Sequence, residues 1–267
     1  VLGFLVSFTR DTPELAHAYS RSSSPQFSHG RLLLDSLSLQ SGESVLDLGA
    51  GTGELARLAA DRVGESGSVL ALEPLPDRVT LARSQPRPNL IYQLGGSDNL
   101  TALPSSAFDV VLLNSVFHWI ADQQRLLHDL SRLLKPGGRL GLSTGITERP
   151  HQQVALLAPL LAKASGGRAG LLSPPHVARR DVLHQQLEAA GYVDVAIEEQ
   201  TFLDHFADLA AVLEWNESSF FGNFLQGSSP SQNPELWAEM ERTLERLRQP
   251  AGIELERYLF LVRATKR

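Results

Sequence analysis

The chain of 267 residues contains no cysteine. Disulfides, thiolate metal sites and cysteine nucleophiles are thereby excluded, and no metal site is expected. Clustered positive charge is also missing. Lys and Arg number 24 against 30 Asp and Glu, a net charge of −6, and no stretch gathers the basic residues that phosphate neutralisation requires, so no nucleic-acid partner is expected. Long hydrophobic runs are absent as well. The apolar opening Val1-Leu2-Gly3-Phe4-Leu5-Val6 is far shorter than a membrane span and has no basic n-region, so it reads neither as an anchor nor as a signal peptide. No membrane partner is expected, and a cytoplasmic setting is the default. Internal repeats and low-complexity tracts are lacking too.

The length suffices for one large domain, or for a core with a smaller lid. Helices are expected at Pro13–Tyr19, from Pro25 to about Leu37, and at Glu54–Arg62, Asp122–Leu134, Asp181–Ala190, Leu209–Phe220 and Glu235–Leu247. In the fourth of these, Leu126, Leu127, Leu130, Leu133 and Leu134 recur at helical spacing, and Pro136-Gly137-Gly138 is read as the stop. Strands are expected at Ser44–Leu48, Val69–Glu73, Leu90–Leu94, Phe108–Asn114, Arg139–Thr144, Val193–Phe202 and Tyr258–Ala264. Their alternation with helices predicts an α/β, Rossmann-like fold: a seven-stranded, mainly parallel sheet with helices on both faces and an antiparallel last strand. The long gap before the last strand predicts a helical lid. The expected organisation is N-terminal helices over 1–40, a binding core over 41–203, the lid over 204–256 and a last core strand over 257–267, with a shorter insertion at His151–Pro175.

The chemistry concentrates at Val45-Leu46-Asp47-Leu48-Gly49-Ala50-Gly51-Thr52-Gly53, a buried strand entering a glycine-rich turn that opens a helix. Glycines let backbone approach a ligand, and free N–H groups at the helix start favour an anionic group. A dinucleotide turn needs Gly-x-Gly-x-x-Gly, but the sixth position here is Glu54, and Gly53 instead gives Gly-x-Gly-x-Gly. About twenty residues on, Glu73 ends the second strand, where a carboxylate can accept from both hydroxyls of a ribose. The plain alternative is a tight turn and a solvated strand-end carboxylate. The order of strand, turn, helix and strand favours an adenosine-containing cofactor.

From Pro25 to Gly145 the sequence resembles the class I S-adenosylmethionine-dependent methyltransferases, and within them the small-molecule enzymes of ubiquinone, biotin and aconitate metabolism. The resemblance is carried by the glycine motif and, in order, by Gly95-Gly96-Ser97-Asp98-Asn99, Leu103-Pro104, Phe108-Asp109-Val110-Val111, His118-Trp119 and Leu134-Lys135-Pro136-Gly137-Gly138-Arg139-Leu140. It implies S-adenosyl-L-methionine as cofactor and methyl transfer to oxygen, nitrogen or carbon of a small organic acceptor. Asp47 and the backbone of Gly49 would sit by the methionine moiety, Ala50, Gly51 and Gly53 would complete the cofactor-binding turn, Glu73 would hold the ribose and Leu75 would pack on adenine. Asp98 would accept from the adenine amino group, with Ser97 or Asn99 beside it; one extra residue before Leu103-Pro104 leaves open whether Asp98 or Asn99 does so. Asn114 and Ser115 would face the methionine end through backbone groups.

On the acceptor side, His118 follows the fourth strand, where open α/β sheets place ligands, and is either a general base or a packing histidine. Trp119 adjoins it. Tyr19 and His29, in the N-terminal helices, either cover the cofactor or pack those helices. Trp215, Phe220, Phe221 and Phe224 either wall an apolar acceptor pocket or fill the lid's core. A binding protein of the same fold with a non-methylating role, pericyclase-like or regulatory, is the alternative.

Overall fold

The computed structural model describes residues 7–164, 174–225 and 231–267. The apolar opening and residues 165–173 of the expected insertion lie outside them. In chain order the elements are α1 (Pro13–Ser22), α2 (Ser24–Ser36), β1 (Ser44–Leu48), α3 (Glu54–Val63), β2 (Ser68–Glu73), α4 (Pro76–Arg83) and β3 (Leu90–Leu94). There follow β4 (Phe108–Asn114), α5 (Gln123–Leu133), β5 (Leu134–Gly145), α6 (Gln152–Ala164), α7 (Arg180–Ala189) and β6 (Tyr192–Phe206). The chain closes with α8 (Leu209–Ser219), α9 (Pro234–Glu245), β7 (Arg248–Gln249) and β8 (Gly252–Lys266).

The strands run in the order β3-β2-β1-β4-β5-β8-β6, and the two-residue β7 pairs with β8 outside this path. β1 through β5 are parallel to one another, while β8 lies antiparallel to β5. β1 has β2 on one side and β4 on the other. The connections therefore leave it in opposite directions, and such a switch point opens a crevice at the carboxyl ends of the strands.

The chain divides into two compact units. The larger comprises Gln26–Thr147, His176–Gln200 and Leu259–Arg267. Its core joins Leu33, Leu34 and Leu37 of the α2 region to Leu55, Ala56, Ala59, Ala60 and Val63 of α3 and to Val45, Val69 and Val110 of the strands. Each fully buried leucine there stabilises the fold by about 1.5–3 kcal/mol. On α5 the residues Leu126, Leu127, Leu130 and Leu133 are buried, as their spacing predicts. Leu134 departs from expectation. It pairs with Phe108 as the first residue of β5, so the helix passes directly into a strand and Pro136-Gly137-Gly138 lies inside that strand, where the register shifts. Lys135 anchors the irregularity through Asp109 at 2.8 Å, and the same carboxylate accepts from the Ser44 N–H.

The smaller unit comprises 1–25, Glu148–Pro175 and Thr201–Tyr258. In it α1 packs on α8 and α6 on α9. Side-chain caps start α1, α8 and α9: Thr12 on Leu15, Asp208 on Ala211 and Asn233 on Leu236. The expected division differs in two respects. All but the first residues of α2 belong with the sheet, because its leucines enter that core, and α6 joins the helices of the expected lid. Among the described residues no helix is long and apolar enough to cross a membrane.

Candidate functional site

The carboxyl ends of β1 and β2 bring two acidic residues beside the glycine turn. Asp47 is 1% exposed, and its Oδ2 has no hydrogen-bond partner among the described residues. Burial, and secondarily the charge of Glu73, push its carboxyl up to about 7. A buried carboxylate oxygen without a donor is unfavourable unless a ligand supplies one.

Gly49, Gly51 and Gly53 adopt φ of 78°, 56° and 86°, the left-handed region that side chains resist. At Gly49 a Cβ would also lie 2.2 Å from Val116 Cγ2, and at Gly53 2.5 Å from Tyr92 Oη. Glu73 ties the turn to β2. Its Oε2 accepts from the Gly51 N–H at 2.8 Å and its Oε1 from the Leu75 N–H at 3.2 Å. The expectation made this carboxylate a ribose acceptor; in the fold each of its oxygens takes one backbone donor beside the turn.

Two residues that sequence reasoning passed over brace the same turn. Arg57 of α3, buried, donates to the Thr52 carbonyl at 3.0 Å, and Tyr92 of β3 donates to the Gly53 carbonyl at 3.2 Å. Their only sequence signal is a polar residue at an inward position.

Leu75, expected to pack on adenine, is buried. Asn99 turns its Oδ1 back onto the Gly96 N–H at 2.9 Å, closing the short helical turn Ser97–Ala102, while the Asp98 side chain is exposed. Of the two, Asp98 is the one whose carboxylate is not engaged in that turn.

The end of β4 is held by a connected network. Ser143 Oγ donates to Asn114 Oδ1 at 2.9 Å and accepts from the Ser115 N–H at 2.8 Å. Asn114 Nδ2 donates to the Gln26 carbonyl, and His29 Nε2 lies 2.9 Å from Ser115 Oγ. Ser115, at φ 60°, is kept in a strained backbone state by these partners. The Asn114 side chain thus fastens α2, and His29 meets Ser115 inside the larger unit. Tyr19 belongs to the smaller unit.

His118 lies in the short turn Phe117–Trp119. It is 5% exposed, and burial holds its ring down to about 3. Its Nδ1 accepts from the Gly145 N–H at 3.3 Å, its carbonyl accepts from the His176 N–H, and Trp119 meets its ring edge-on at 5.4 Å. Gln123 Nε2 braces the turn through the Phe117 and His176 carbonyls at 3.1 and 2.7 Å. A general base needs a free lone pair and a basicity near working pH. Here the lone pair of Nδ1 is occupied and the basicity is low, so the base role expected of His118 does not suit this placement.

Trp215, Phe220, Phe221 and Phe224 are all buried within the smaller unit. Trp215 packs on Phe206, Phe220 on Phe224 and Phe221 on Phe8, with ring centroids 5.4, 5.5 and 5.1 Å apart. The core alternative accounts for these contacts.

Three left-handed glycines, an orphaned buried carboxylate and a second carboxylate fixed beside them suit a ligand carrying hydroxyl and cationic donors. An adenosyl sulfonium amino acid fits that set.

Residues 46–142 match a family model described as a methyltransferase domain. Over 188 residues the chain is 29% identical to the arsenite methyltransferase of Halobacterium salinarum, with 69% of this chain and 44% of that one covered. It is also 29% identical to nocamycin O-methyltransferase of Saccharothrix syringae over 233 residues, 80% of this chain and 82% of that one. Among solved structures, phosphoethanolamine N-methyltransferase 2 of Haemonchus contortus, in complex with S-adenosyl-L-methionine, aligns with a TM-score of 0.61 at 16% identity, covering 98% of this chain and 60% of that chain. The chain spans less than half the length of the arsenite methyltransferase it matches.

Proposed function

We propose that this chain is a class I S-adenosylmethionine-dependent methyltransferase that moves a methyl group from that cofactor to a small organic acceptor, in the cytoplasm and without a nucleic-acid partner. The observation that carries the reading is the pairing of Asp47 and Glu73 around a triple-glycine turn at the switch point of the sheet. Asp47 supplies a buried anionic acceptor for the methionine end. Glu73, its carboxylate fixed beside the turn by two backbone donors, is assigned to the ribose, and Leu75 offers an apolar wall to adenine. Asp98 is the residue assigned to the adenine amino group. When bound, S-adenosylmethionine supplies a methyl group made electrophilic by the adjacent sulfonium.

The chain's task is then alignment and exclusion of water rather than covalent participation. Arg57 and Tyr92 fix the turn's carbonyls, and the network of His29, Asn114, Ser115 and Ser143 fixes the end of β4, so both walls are set before the ligand arrives. Preorganisation of this kind spares the binding step its ordering cost.

Titration calorimetry with S-adenosylmethionine tests the reading. Binding is expected for the intact chain, and Glu73→Ala is expected to weaken it at least about tenfold, since hydrogen bonds to a charged acceptor are worth about 1.5–3 kcal/mol. Unchanged affinity in a folded Glu73→Ala protein would remove that residue from the site. Absence of binding by the intact chain would remove the cofactor assignment itself.

A further inference from the structure

We infer that His118 contacts the methyl acceptor as an uncharged hydrogen-bond donor through Nε2–H, and so selects acceptors that present an oxygen lone pair at that point. The inference rests on the methyltransferase reading above and adds to it the acceptor's chemistry. A peptide N–H can only donate, so the bond from the Gly145 N–H fixes Nδ1 as the acceptor nitrogen. In a neutral imidazole the other nitrogen must then carry the proton.

Nε2 makes no hydrogen bond among the described residues, yet it is not one of the fully enclosed polar atoms left without a partner. The small residual exposure of this residue therefore includes its one available donor. The ring stands at the carboxyl ends of β4 and β5, where ligands of open α/β sheets bind.

The surroundings keep the ring neutral. Thr144 and Gly145 of β5, Trp119 of its own turn and the peptide of His176 are the groups recorded around it, and none is charged. Burial also holds it unprotonated well below neutrality. A protonated amine placed at Nε2–H would set donor against donor, whereas a carboxylate, phenol or carbonyl oxygen would be matched.

Nitrogen NMR of the histidine-labelled full chain, with His118→Phe identifying the signal, tests the tautomer. One protonated and one unprotonated ring nitrogen are expected to persist from about pH 8 to about pH 5. A ring that titrates near its ordinary value would overturn the inference. With S-adenosylhomocysteine bound, benzoate is expected to move the Nε2 signal and benzylammonium to leave it in place; the reverse, or no response to either, also counts against it.

Transfer of labelled methyl to a panel of phenols, carboxylates and amines supplies the functional arm. Acceptors bearing oxygen are expected to be turned over, His118→Phe to reduce turnover at least about tenfold, and His118→Gln, whose amide can donate from nearly the same place, to recover most of it with an unchanged pH profile. Equal loss in both variants, or turnover of amines alone, would overturn the role. Calorimetry with S-adenosylmethionine on the intact chain separates the two failures: if the cofactor does not bind, the methyltransferase reading falls, and if it binds while the ring titrates or Gln fails to rescue, only the role of His118 falls.

Discussion

Asp47 is held by the fold in a form that water would not choose. Its ordinary value is 3.8, and burial with the nearby charge of Glu73 raises it to about 7. Between those two pH values the folded chain keeps a proton that the unfolded chain has released, so this residue's contribution to stability falls as pH rises through that window and remains low above it. At about 1.4 kcal/mol per pH unit the loss reaches on the order of 4 kcal/mol. Asp47→Asn, which cannot ionise, is therefore expected to melt higher than the parent at alkaline pH and to lose the advantage as pH falls toward 4. The same change is expected to weaken S-adenosylmethionine binding at least about tenfold, since an anionic acceptor is gone. Melting curves across pH, set beside calorimetry, check both; a variant that melts lower at alkaline pH would show that the carboxylate is not under strain. Asp47 could be picked out in the sequence because strand and glycine turn sit in one short motif, and Glu73 because it ends the next strand. Arg57 and Tyr92 could not, since 35 residues separate them and nothing in either element alone says what a polar residue at an inward position is for until the fold joins them.

At the level of elements, periodicity revealed what it could and no more. β1 and β4 have the expected bounds because buried parallel strands leave apolar runs between turns, and the edge strand β3 has them because its short run is set off by Pro88-Asn89 and Gly95-Gly96. Two helices were passed over. α4 has eight residues with no clear apolar stripe, and α6 carries Pro159 inside a run too uniformly apolar to show a helical period. The end of α5 was misplaced by one residue because Leu134 fits the helical spacing and the strand equally well, and the start of β5 by five because Pro136-Gly137-Gly138 reads as a stop. The turn into α3 is where an element depends on one residue. Gly53 begins that helix in the left-handed state, with Tyr92 directly against it. Gly53→Ala is expected to destabilise the protein by about 1–3 kcal/mol through backbone strain alone, with further loss from the clash at Tyr92. Gly53→Ala combined with Tyr92→Phe should relieve the part owed to the hydroxyl. Chemical denaturation of the single and double variants measures this, and a fully stable Gly53→Ala protein would show that the turn does not need its left-handed form.

Across the whole molecule, the parts of β6 and β8 that escaped the sequence are those where a charged residue occupies an inward position. Phe202, Asp204 and Phe206 alternate along β6, and Ile253, Leu255 and Arg257 along β8, with Asp204 and Arg257 buried among apolar neighbours. A strand pattern that admits two charges does not read as a strand. The fold explains them as a pair: Arg257 Nε lies 2.6 Å from Asp204 Oδ2, its Nη2 lies 3.0 Å from Oδ1, and the same Nη2 donates to the Pro25 carbonyl at 2.9 Å. Three remote stretches of chain are thus fastened by one guanidinium within the smaller unit. Removing one partner strands a buried charge, and Arg257→Met is expected to cost about 3–5 kcal/mol. Replacing both is a different matter, because a well-packed apolar pair has no desolvation penalty to offset. Arg257→Met with Asp204→Leu is expected to recover most of the loss, short of what the Pro25 carbonyl forfeits with its donor, about 1 kcal/mol. Two of the three tryptophans, Trp215 and Trp237, belong to the smaller unit, so fluorescence-detected unfolding reports on this pair directly. If the double variant proves no more stable than Arg257→Met, then the hydrogen bond to Pro25, and not the ion pair, is what the arginine provides.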